Sequence, residues 1–304
     1  MKRILFFLKA LIIQLATYPL ALLPRKPALH AGSLIGLLAY HLWRSRRDIA
    51  IKNLTLTVSN SEALNITDSR EVVKENFKNL GRSLMEVIKI YHGRGGEIIE
   101  SVVITGKENY IKALQKGRGI IVITGHCGNW ELLALAASCR LTPISVVARP
   151  INNPYLNRFV ERIRTRYGNR VIYKGGALRE ILRELKAGRP VGILMDQGVL
   201  PSEGVLVDFL GRPAWTIKTP AVIARKTGTP VLPVFIKRNG DRHIVEIHRE
   251  VKLSENPDPE EAIREDTRTF TSYIEAYIRE NPTEWLWIHR RWKRTEKNSH
   301  ILHN

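Results

Sequence analysis

The sequence predicts an α/β fold: a mixed, largely parallel β-sheet flanked by helices, with an N-terminal hydrophobic membrane-anchoring helix. Two observations support this prediction. From about residue 100 onward, short apolar runs rich in β-branched residues alternate with helical stretches, which is the pattern of βαβ units. In addition, residues 4–23 are almost continuously apolar, and about 20 such residues suffice to cross a bilayer or to lie deep in it.

The N-terminal apolar run is interrupted by Lys9 and Gln14, but Lys9 lies near one end and can extend its ammonium group to the lipid headgroups. A second apolar run, residues 28–43, ends in a basic cluster at 44–47, as in a helix that lies in a membrane interface. We therefore expect residues 1–47 to be a membrane anchor with an interfacial helix. The alternative is that residues 4–23 form a buried core helix.

Residues 48–304 are predicted to form the α/β domain. Apolar residues recur at three- and four-residue steps over residues 48–92, which indicates helix. The strand candidates are residues 120–123, 144–148, 171–173, 191–195, 231–236 and 243–248. The helix candidates are residues 130–137, 155–167, 177–187, 217–227 and 259–280.

The charge balance is unusual. The chain has 48 Lys and Arg against 29 Asp and Glu, a net charge of +19. Such a surface attracts nucleic acid, anionic lipid, phosphorylated substrates or acidic proteins, and charge alone does not choose among them. The two cysteines, Cys127 and Cys139, form no disulfide framework, and neither a metal-ligand spacing nor a phosphate loop is present. We expect no metal and no cofactor.

The strongest motif is Gly-His-Cys-Gly-Asn-Trp-Glu at residues 125–131, directly after an apolar strand. His126 should lie at the carboxyl edge of the sheet, where open α/β folds bind ligands. Asn129 is a good N-cap, and Glu131 would then lie in the first turn of the next helix. A histidine there can act as a general base, and a carboxylate can orient its ring. We expect His126 and Glu131 to form this pair, although a short H-x4-E pattern also occurs in structural roles.

Three further residues are predicted to bind substrate. Arg149 follows a strand, and Arg164 lies in a helix rich in arginine, so both either bind phosphate or an oxyanion or belong to a solvated basic face. Asp196 ends the strand 191–195 and either caps local structure or holds an arginine or a sugar. The aromatic and basic C-terminal stretch 285–294 has two interpretations, an interfacial patch or packing against the domain.

These motifs carry a family resemblance over essentially the whole chain. Besides residues 125–131 and the N-terminal hydrophobic anchor, they are Ala-Arg-Pro at 148–150, Asn-Pro at 153–154, Arg-Ile-Arg at 162–164, Met-Asp-Gln at 195–197, and the stretches 207–213 and 228–234. The chain resembles the bacterial lipid A biosynthesis acyltransferases, the lauroyl/myristoyl transferase family with its H-x4-D/E motif. It departs from that pattern at Gly125, where many members carry Asn.

The resemblance implies a membrane-bound enzyme that moves a fatty acyl group from an acyl-carrier-protein thioester to a hydroxyl of a lipid A precursor, with His126 as base and Glu131 as its orienting partner. It implies the bacterial inner membrane, with the catalytic domain on the cytoplasmic side. The expected partners are the acyl carrier protein, the anionic glycolipid acceptor and the membrane, but not nucleic acid. An acyl-coenzyme A donor fits the charge as well.

Two rival functions remain open. The acceptor could be another glycolipid, such as a phosphatidylinositol mannoside. A different class of protein, a non-catalytic basic protein that binds anionic membrane or nucleic acid, would also account for the charge, but no recognised nucleic-acid motif supports it.

Overall fold

The computed structural model describes residues 2–60, 66–173 and 175–299. Its helices are α1 (Lys2–Leu22), α2 (Arg25–Leu42), α3 (Arg44–Asn60), α4 (Ser69–Tyr91), α5 (Gly96–Glu100), α6 (Lys107–Leu114), α7 (Trp130–Arg140), α8 (Pro154–Arg164), α9 (Ala177–Lys186), α10 (Thr219–Thr227), α11 (Pro259–Glu280) and α12 (Lys293–Ser299). Its strands are β1 (Val103–Thr105), β2 (Ile120–Thr124), β3 (Ser145–Ala148), β4 (Arg170–Tyr173), β5 (Pro190–Leu194), β6 (Gly204–Phe209), β7 (Arg212–Ile217), β8 (Val231–Asn239) and β9 (Arg242–Ile247).

Seven strands form one sheet in the order β1-β9-β8-β2-β5-β3-β4. Neighbouring strands are parallel throughout, except that β8 and β9 pair antiparallel. Strands β6 and β7 form a separate antiparallel hairpin. The predicted fold class is confirmed: the sheet is mixed and largely parallel, helices flank it, and an apolar helix begins the chain.

The sheet is buried on both faces, which explains why its central strands are continuously apolar rather than alternating. In β2, Ile121 and Ile123 pack in one core with residues of α9, α10 and α11. Ile120 and Val122 point to the opposite face and pack in a second core with residues of α7. Each of these side chains contributes about 1.5–3 kcal/mol by its burial. The cores therefore fix the strand order that determines which loops meet.

The strand order brings three carboxyl ends together. β2 pairs with β5, with Thr124 opposite Leu194, and β5 pairs with β3 on its other side. The chain leaves these strands at Gly125, Met195 and Arg149 respectively. Ligands of open α/β sheets bind at this edge. The loops after β2, β5 and β3 therefore supply the candidate site.

Helix α2 packs on α4 backbone to backbone. A Cβ atom at Gly36 would lie 2.1 Å from the carbonyl oxygen of Phe77, and one at Gly81 would lie 2.0 Å from that of Gly32. Only glycine fits so close an approach. Although α2 belongs to the predicted segment 1–47, it is fixed to the helices that follow, and the predicted boundary between 1–47 and 48–304 stays a prediction.

Helix α1 is attached to the domain along one side only. The Asn153 side chain donates a hydrogen bond to the Phe6 carbonyl (2.8 Å), and the Lys89 ammonium donates to the Ala21 carbonyl (2.9 Å). Among the described residues, α1 is the one helix long and apolar enough to cross a membrane. An 18-residue stretch of it has a mean hydropathy of 1.8, and 11% of that stretch is buried. Its exposed large apolar residues are Ile4, Leu5, Phe7, Leu8, Leu11, Ile12, Ile13, Leu15, Tyr18 and Leu22.

Some elements differ from the prediction. The helix predicted at 217–227 begins at Thr219, because the preceding residues form β7. The helical region predicted at 48–92 contains two helices, α3 and α4, and residues 61–65 lie outside the described ranges. Strand β1 and the hairpin of β6 and β7 were not predicted.

The C-terminal tryptophans are core residues. Trp285, Trp287 and Trp292 are 0%, 0% and 2% exposed. Of the two interpretations of this stretch, packing against the domain is correct, and an interfacial patch made by these three side chains is wrong. We call residues 283–292 the tryptophan segment.

Candidate active site

A cavity of about 290 Å³ opens at the carboxyl edge of β2, β5 and β3. His126, Glu131, Arg149 and Arg164 all line it, so the structure brings together four of the five residues predicted from the sequence. The rest of the lining is mainly apolar and includes Trp130, Ala134, Leu135, Val146, Val147 and Ile193. The cavity thus combines one imidazole and three charged groups with an apolar wall.

Asp196 holds the His126 ring. The Nδ1 atom of His126 lies 2.8 Å from Oδ1 of Asp196, and the backbone N–H of His126 donates to Oδ2 at 3.0 Å. Because a carboxylate accepts, Nδ1 carries the proton in the neutral ring and Nε2 is left as an acceptor. The side-chain amide of Gln197 donates to Nε2 (3.2 Å). The unprotonated nitrogen therefore faces the cavity.

The Trp285 indole completes the environment of Asp196. Its Nε1–H donates to Oδ2 of Asp196 at 2.8 Å, and both side chains are almost fully buried. A buried carboxylate needs such donors to remain ionised. Burial acts to raise the pKa of Asp196, but the His126 ring and the hydrogen bonds from His126 and Trp285 lower it to about 2.

The pKa of His126 moves in the opposite direction. Burial alone lowers it, but the Asp196 carboxylate, and more weakly Glu131, raise it above its ordinary value of 6.5. A raised pKa strengthens the neutral ring as a proton acceptor. His126 is therefore oriented, tautomerically fixed and basic.

The Glu131 side chain contacts a different residue from the one predicted. Its carboxylate accepts from Arg164 at two points, from Nε at 3.0 Å and from Nη2. The carboxylate that hydrogen-bonds His126 is Asp196, which lies behind the ring and not in the cavity wall. The expected contact between Glu131 and His126 is therefore not made, and Asp196 contacts the ring instead; the roles assigned to Glu131 and Asp196 stay predictions. The physical reason is that β2 and β5 are neighbours in the sheet. The loop after β5 therefore brings Asp196 next to His126, which lies in the loop after β2.

The tryptophan segment secures the loop that carries His126. The N–H of Leu286 donates to the His126 carbonyl (3.2 Å), and the N–H of Gly128 donates to the Glu284 carbonyl (2.8 Å). Gly128 has φ of +54°, and a Cβ atom there would lie 2.1 Å from the Ile236 carbonyl oxygen. A side chain at this position is excluded both by strain and by space. The glycine in the motif is thus explained by backbone geometry.

The first turn of α7 is held in place by Asn129 and by the buried residues around Glu86. Asn129 caps the helix by accepting from the Leu132 N–H (3.2 Å), and its amide donates to Glu86 (3.0 Å). Glu86 also pairs with Arg238 and His243, whose contacts outweigh its burial and lower its pKa to about 2. This buried network places the first turn of α7, and with it Glu131.

A second, apolar cavity of about 60 Å³ adjoins the first. The two share Trp130, Ala134, Val146 and Leu194 as wall residues. The Trp130 ring packs edge-on against His126, with ring centroids 5.1 Å apart. Tyr110 and Thr142, hydrogen-bonded to each other, line the second cavity and not the first.

Sequence reasoning missed Trp130 and Trp285 as site residues. Trp130 lay inside the motif, and its position as the first residue of a predicted helix could have been used. Trp285 gave no signal, since nothing in the sequence places it against Asp196. Within the described ranges, no group of three or more His, Cys, Asp or Glu residues could hold a metal ion.

A comparison with protein families identifies the class of protein. The model for "Bacterial lipid A biosynthesis acyltransferase" matches residues 3–294. The chain belongs to this family. The family resemblance inferred from the motifs is therefore confirmed, and the protein is an acyl-transferring enzyme.

Two curated relatives illustrate the range of this acyltransferase family. The lipid A biosynthesis palmitoleoyltransferase of Escherichia coli is 26% identical over 264 residues, which cover 86% of this chain and 83% of the relative. The phosphatidylinositol mannoside acyltransferase of Mycolicibacterium smegmatis is 28% identical over 205 residues, covering 66% and 64%. A solved structure, the 1-acyl-sn-glycerophosphate acyltransferase PlsC of Thermotoga maritima, aligns with a TM-score of 0.37 at 18% identity over 83% of this chain and 100% of that one.

Proposed function

We propose that the protein transfers a fatty acyl chain from an acyl-carrier-protein thioester to a hydroxyl of a lipid A precursor, with His126 as general base. The observation that carries this proposal is the Asp196–His126 pair, which presents an unprotonated Nε2 to a cavity with a largely apolar wall. Acyl transfer to an alcohol needs a base at this position, because the hydroxyl is a poor nucleophile until its proton leaves.

The proposed steps balance without an enzyme nucleophile. The acceptor hydroxyl takes the place of the Gln197 amide at Nε2, gives its proton to His126, and attacks the thioester carbonyl carbon through oxygen. The C–S bond of the tetrahedral intermediate then breaks, and the leaving thiolate takes the proton back from the imidazolium. Asp196 stabilises the imidazolium in between, as the carboxylate does in a Ser-His-Asp triad.

The charged residues of the cavity wall complete the proposed assignment. Arg149 lines the cavity, and we assign it to the developing oxyanion or to a phosphate of the acceptor. Glu131 holds Arg164 in the wall through their two-point contact and adds negative potential near His126. Both Glu131 and His126 would thus act on the same reaction, but through different contacts.

Donor, acceptor and location follow from charge and from the N-terminus. A surface of net charge +19 favours an acidic carrier protein and a phosphorylated glycolipid. The uncovered apolar side of α1 favours attachment to a membrane, which we take to be the bacterial inner membrane with the domain on its cytoplasmic side.

The test is a transfer assay with the full chain purified in detergent. Labelled acyl chains on acyl carrier protein are offered with a lipid A precursor, a mannosylated phosphatidylinositol, or both. We expect one acyl chain to be added to the lipid A precursor, detected as a mass increase, and only with active protein. If only the mannosylated phosphatidylinositol is acylated, that lipid and not the lipid A precursor is the acceptor. If neither lipid is acylated, the proposal is contradicted.

The adjoining apolar cavity predicts control of acyl-chain length. Ala137 lines this cavity about two helical turns beyond Trp130. The acyl chain of the donor would therefore pass Trp130 and extend along α7. Ala137→Leu fills this space, and we expect kcat/KM for the longest accepted donor to fall about tenfold or more relative to shorter donors, because one methylene in an apolar pocket discriminates by about 1–3 kcal/mol. The measurement is competition among donors of different length in one mixture.

Ala177→Leu is the matched control for this prediction. Ala177 is also half-buried and helical, but it lies on α9 and lines neither cavity. Its preference profile should match that of the wild type. An unchanged profile in Ala137→Leu, in a folded protein, would place the acyl chain elsewhere.

A further inference from the structure

Helices α1 and α8 enclose a groove of about 210 Å³ that the acyl-transfer site does not use. One wall is the face of α1 that carries Phe7, Ala10, Leu11 and Gln14; the other wall is the face of α8 that carries Tyr155, Arg158, Phe159 and Arg162. None of these residues lines the cavity around His126. The groove is therefore a separate feature of the molecule.

The groove is built by specific contacts. Asn153, the N-cap of α8, donates to the Phe6 carbonyl at 2.8 Å, which fixes the two helices at one end. The Phe7 and Tyr155 rings meet edge to face with their centroids 5.5 Å apart. Ala10 is 2% exposed, so α1 is seated closely at this point. The helix spacing is thus held by polar and aromatic contacts.

The charge of the groove is entirely positive. Arg158 and Arg162 are exposed, and neither side chain has a partner among the described residues. Helix α1 contains no acidic residue, and the acidic residue of α8, Glu161, accepts from the Tyr173 hydroxyl instead (2.9 Å). Residues four apart on a helix are neighbours, with their Cβ atoms about 5–6 Å apart. The guanidinium groups of Arg158 and Arg162 can therefore both donate hydrogen bonds to one phosphate.

We propose that this groove binds one anionic phospholipid of the membrane. The phosphate would pair with Arg158 and Arg162, and an acyl chain would lie along Phe7 and Leu11, on the border of the uncovered side of α1. The proposal rests on the proposed attachment of α1 to a membrane, because a bilayer supplies lipid at this border. Unpaired arginines beside an exposed apolar helix are complementary to such a lipid in both charge and polarity.

The test measures lipid retained by the full chain in native mass spectrometry, after titration of the detergent-purified protein with phosphatidylglycerol or phosphatidylcholine. We expect one phosphatidylglycerol to be retained in preference to phosphatidylcholine. R158Q/R162Q should weaken phosphatidylglycerol binding about tenfold or more, since hydrogen bonds to charged groups are being removed. R158K/R162K should recover part of that loss because it keeps the charge.

The matched control is R179Q/R183Q. Arg179 and Arg183 are also exposed and four residues apart, on α9, so this variant loses the same charge outside the groove. It should retain the lipid as the wild type does. The proposal is overturned if this control loses as much binding as R158Q/R162Q, if R158Q/R162Q binds normally, or if the two lipids are retained equally.

Two additional results separate this proposal from the proposed function. Displacement of phosphatidylglycerol from the groove by the glycolipid acceptor would show that the groove binds the acceptor. That result would overturn the proposal that it binds a phospholipid. Acyl transfer by each variant is measured in parallel. Lipid retention without any transfer would contradict only the proposed function, whereas transfer without lipid retention would contradict only the groove.

Discussion

His126→Ala is expected to lower kcat for acyl transfer by about 10²–10⁴-fold, the contribution of a positioned general base. The acceptor hydroxyl would then lose its proton only to water, while the apolar walls of both cavities remain. KM should change little, since the ring makes only one of the proposed lipid contacts, the one to the reacting hydroxyl. The measurement is steady-state transfer with detergent-purified protein, with membrane fractionation to show that attachment is unaffected.

Cys127→Ala is the control for the neighbouring thiol. Cys127 is 1% exposed, and its burial raises the pKa of the thiol well above its ordinary value. Such a thiol is a poor nucleophile, so this variant should transfer near the wild-type rate. Wild-type activity in His126→Ala would remove the imidazole from the mechanism. Loss of activity only in Cys127→Ala would point to an acyl-enzyme.

Much of the fold could be predicted because burial leaves a local signature. The run at 120–123 is apolar at every position, and its strand is buried on both faces. The hairpin of β6 and β7 was missed because it lies outside the main sheet, and its residues alternate in burial rather than forming an apolar run. The shift of α10 has the same origin, since the last residue of the hairpin, Ile217, was assigned to the helix.

The site was predicted less completely because its geometry depends on strand order. The sequence places His126 and Asp196 each after an apolar strand, but it does not say that those strands are neighbours. The nearest carboxylate along the chain, Glu131, was therefore assigned to the ring. In the structure, Glu131 and His126 line the same cavity without being hydrogen-bonded to each other.

The tryptophan segment shows a related limit. Trp285 and its neighbouring basic residues have the composition of a membrane interface, and composition does not reveal what covers a side chain. Asn53 and Asn76 donate to backbone carbonyls of this segment, to Trp287 (2.9 Å) and to Trp285 (2.7 Å) respectively. Two asparagines from α3 and α4 thus hold the chain that donates to Asp196, a coupling that spans most of the sequence.

Asp196→Asn is expected to lower kcat by about 10²–10⁴-fold and also to lower the midpoint of the pH profile. An asparagine can offer its N–H to Nδ1 and so favour the wrong tautomer, with the proton on Nε2, as in the corresponding triad variant. The Asp196 carboxylate favours the protonated His126, so its removal lowers the pKa of the ring. In the wild type, kcat/KM should rise with pH to a midpoint above 6.5, and the variant midpoint should lie lower.

Two matched variants distinguish orientation from general electrostatics. Glu131→Gln removes the same charge, but its field on His126 is the weaker of the two and its contact is with Arg164. The midpoint of the pH profile should therefore fall less in Glu131→Gln than in Asp196→Asn. This expectation does not depend on how much Glu131→Gln lowers kcat. Trp285→Phe removes one donor to Asp196 and keeps the Asp196–His126 bond, so it should retain more activity than Asp196→Asn. A larger midpoint shift in Glu131→Gln would show that Glu131, and not Asp196, controls the ring during catalysis.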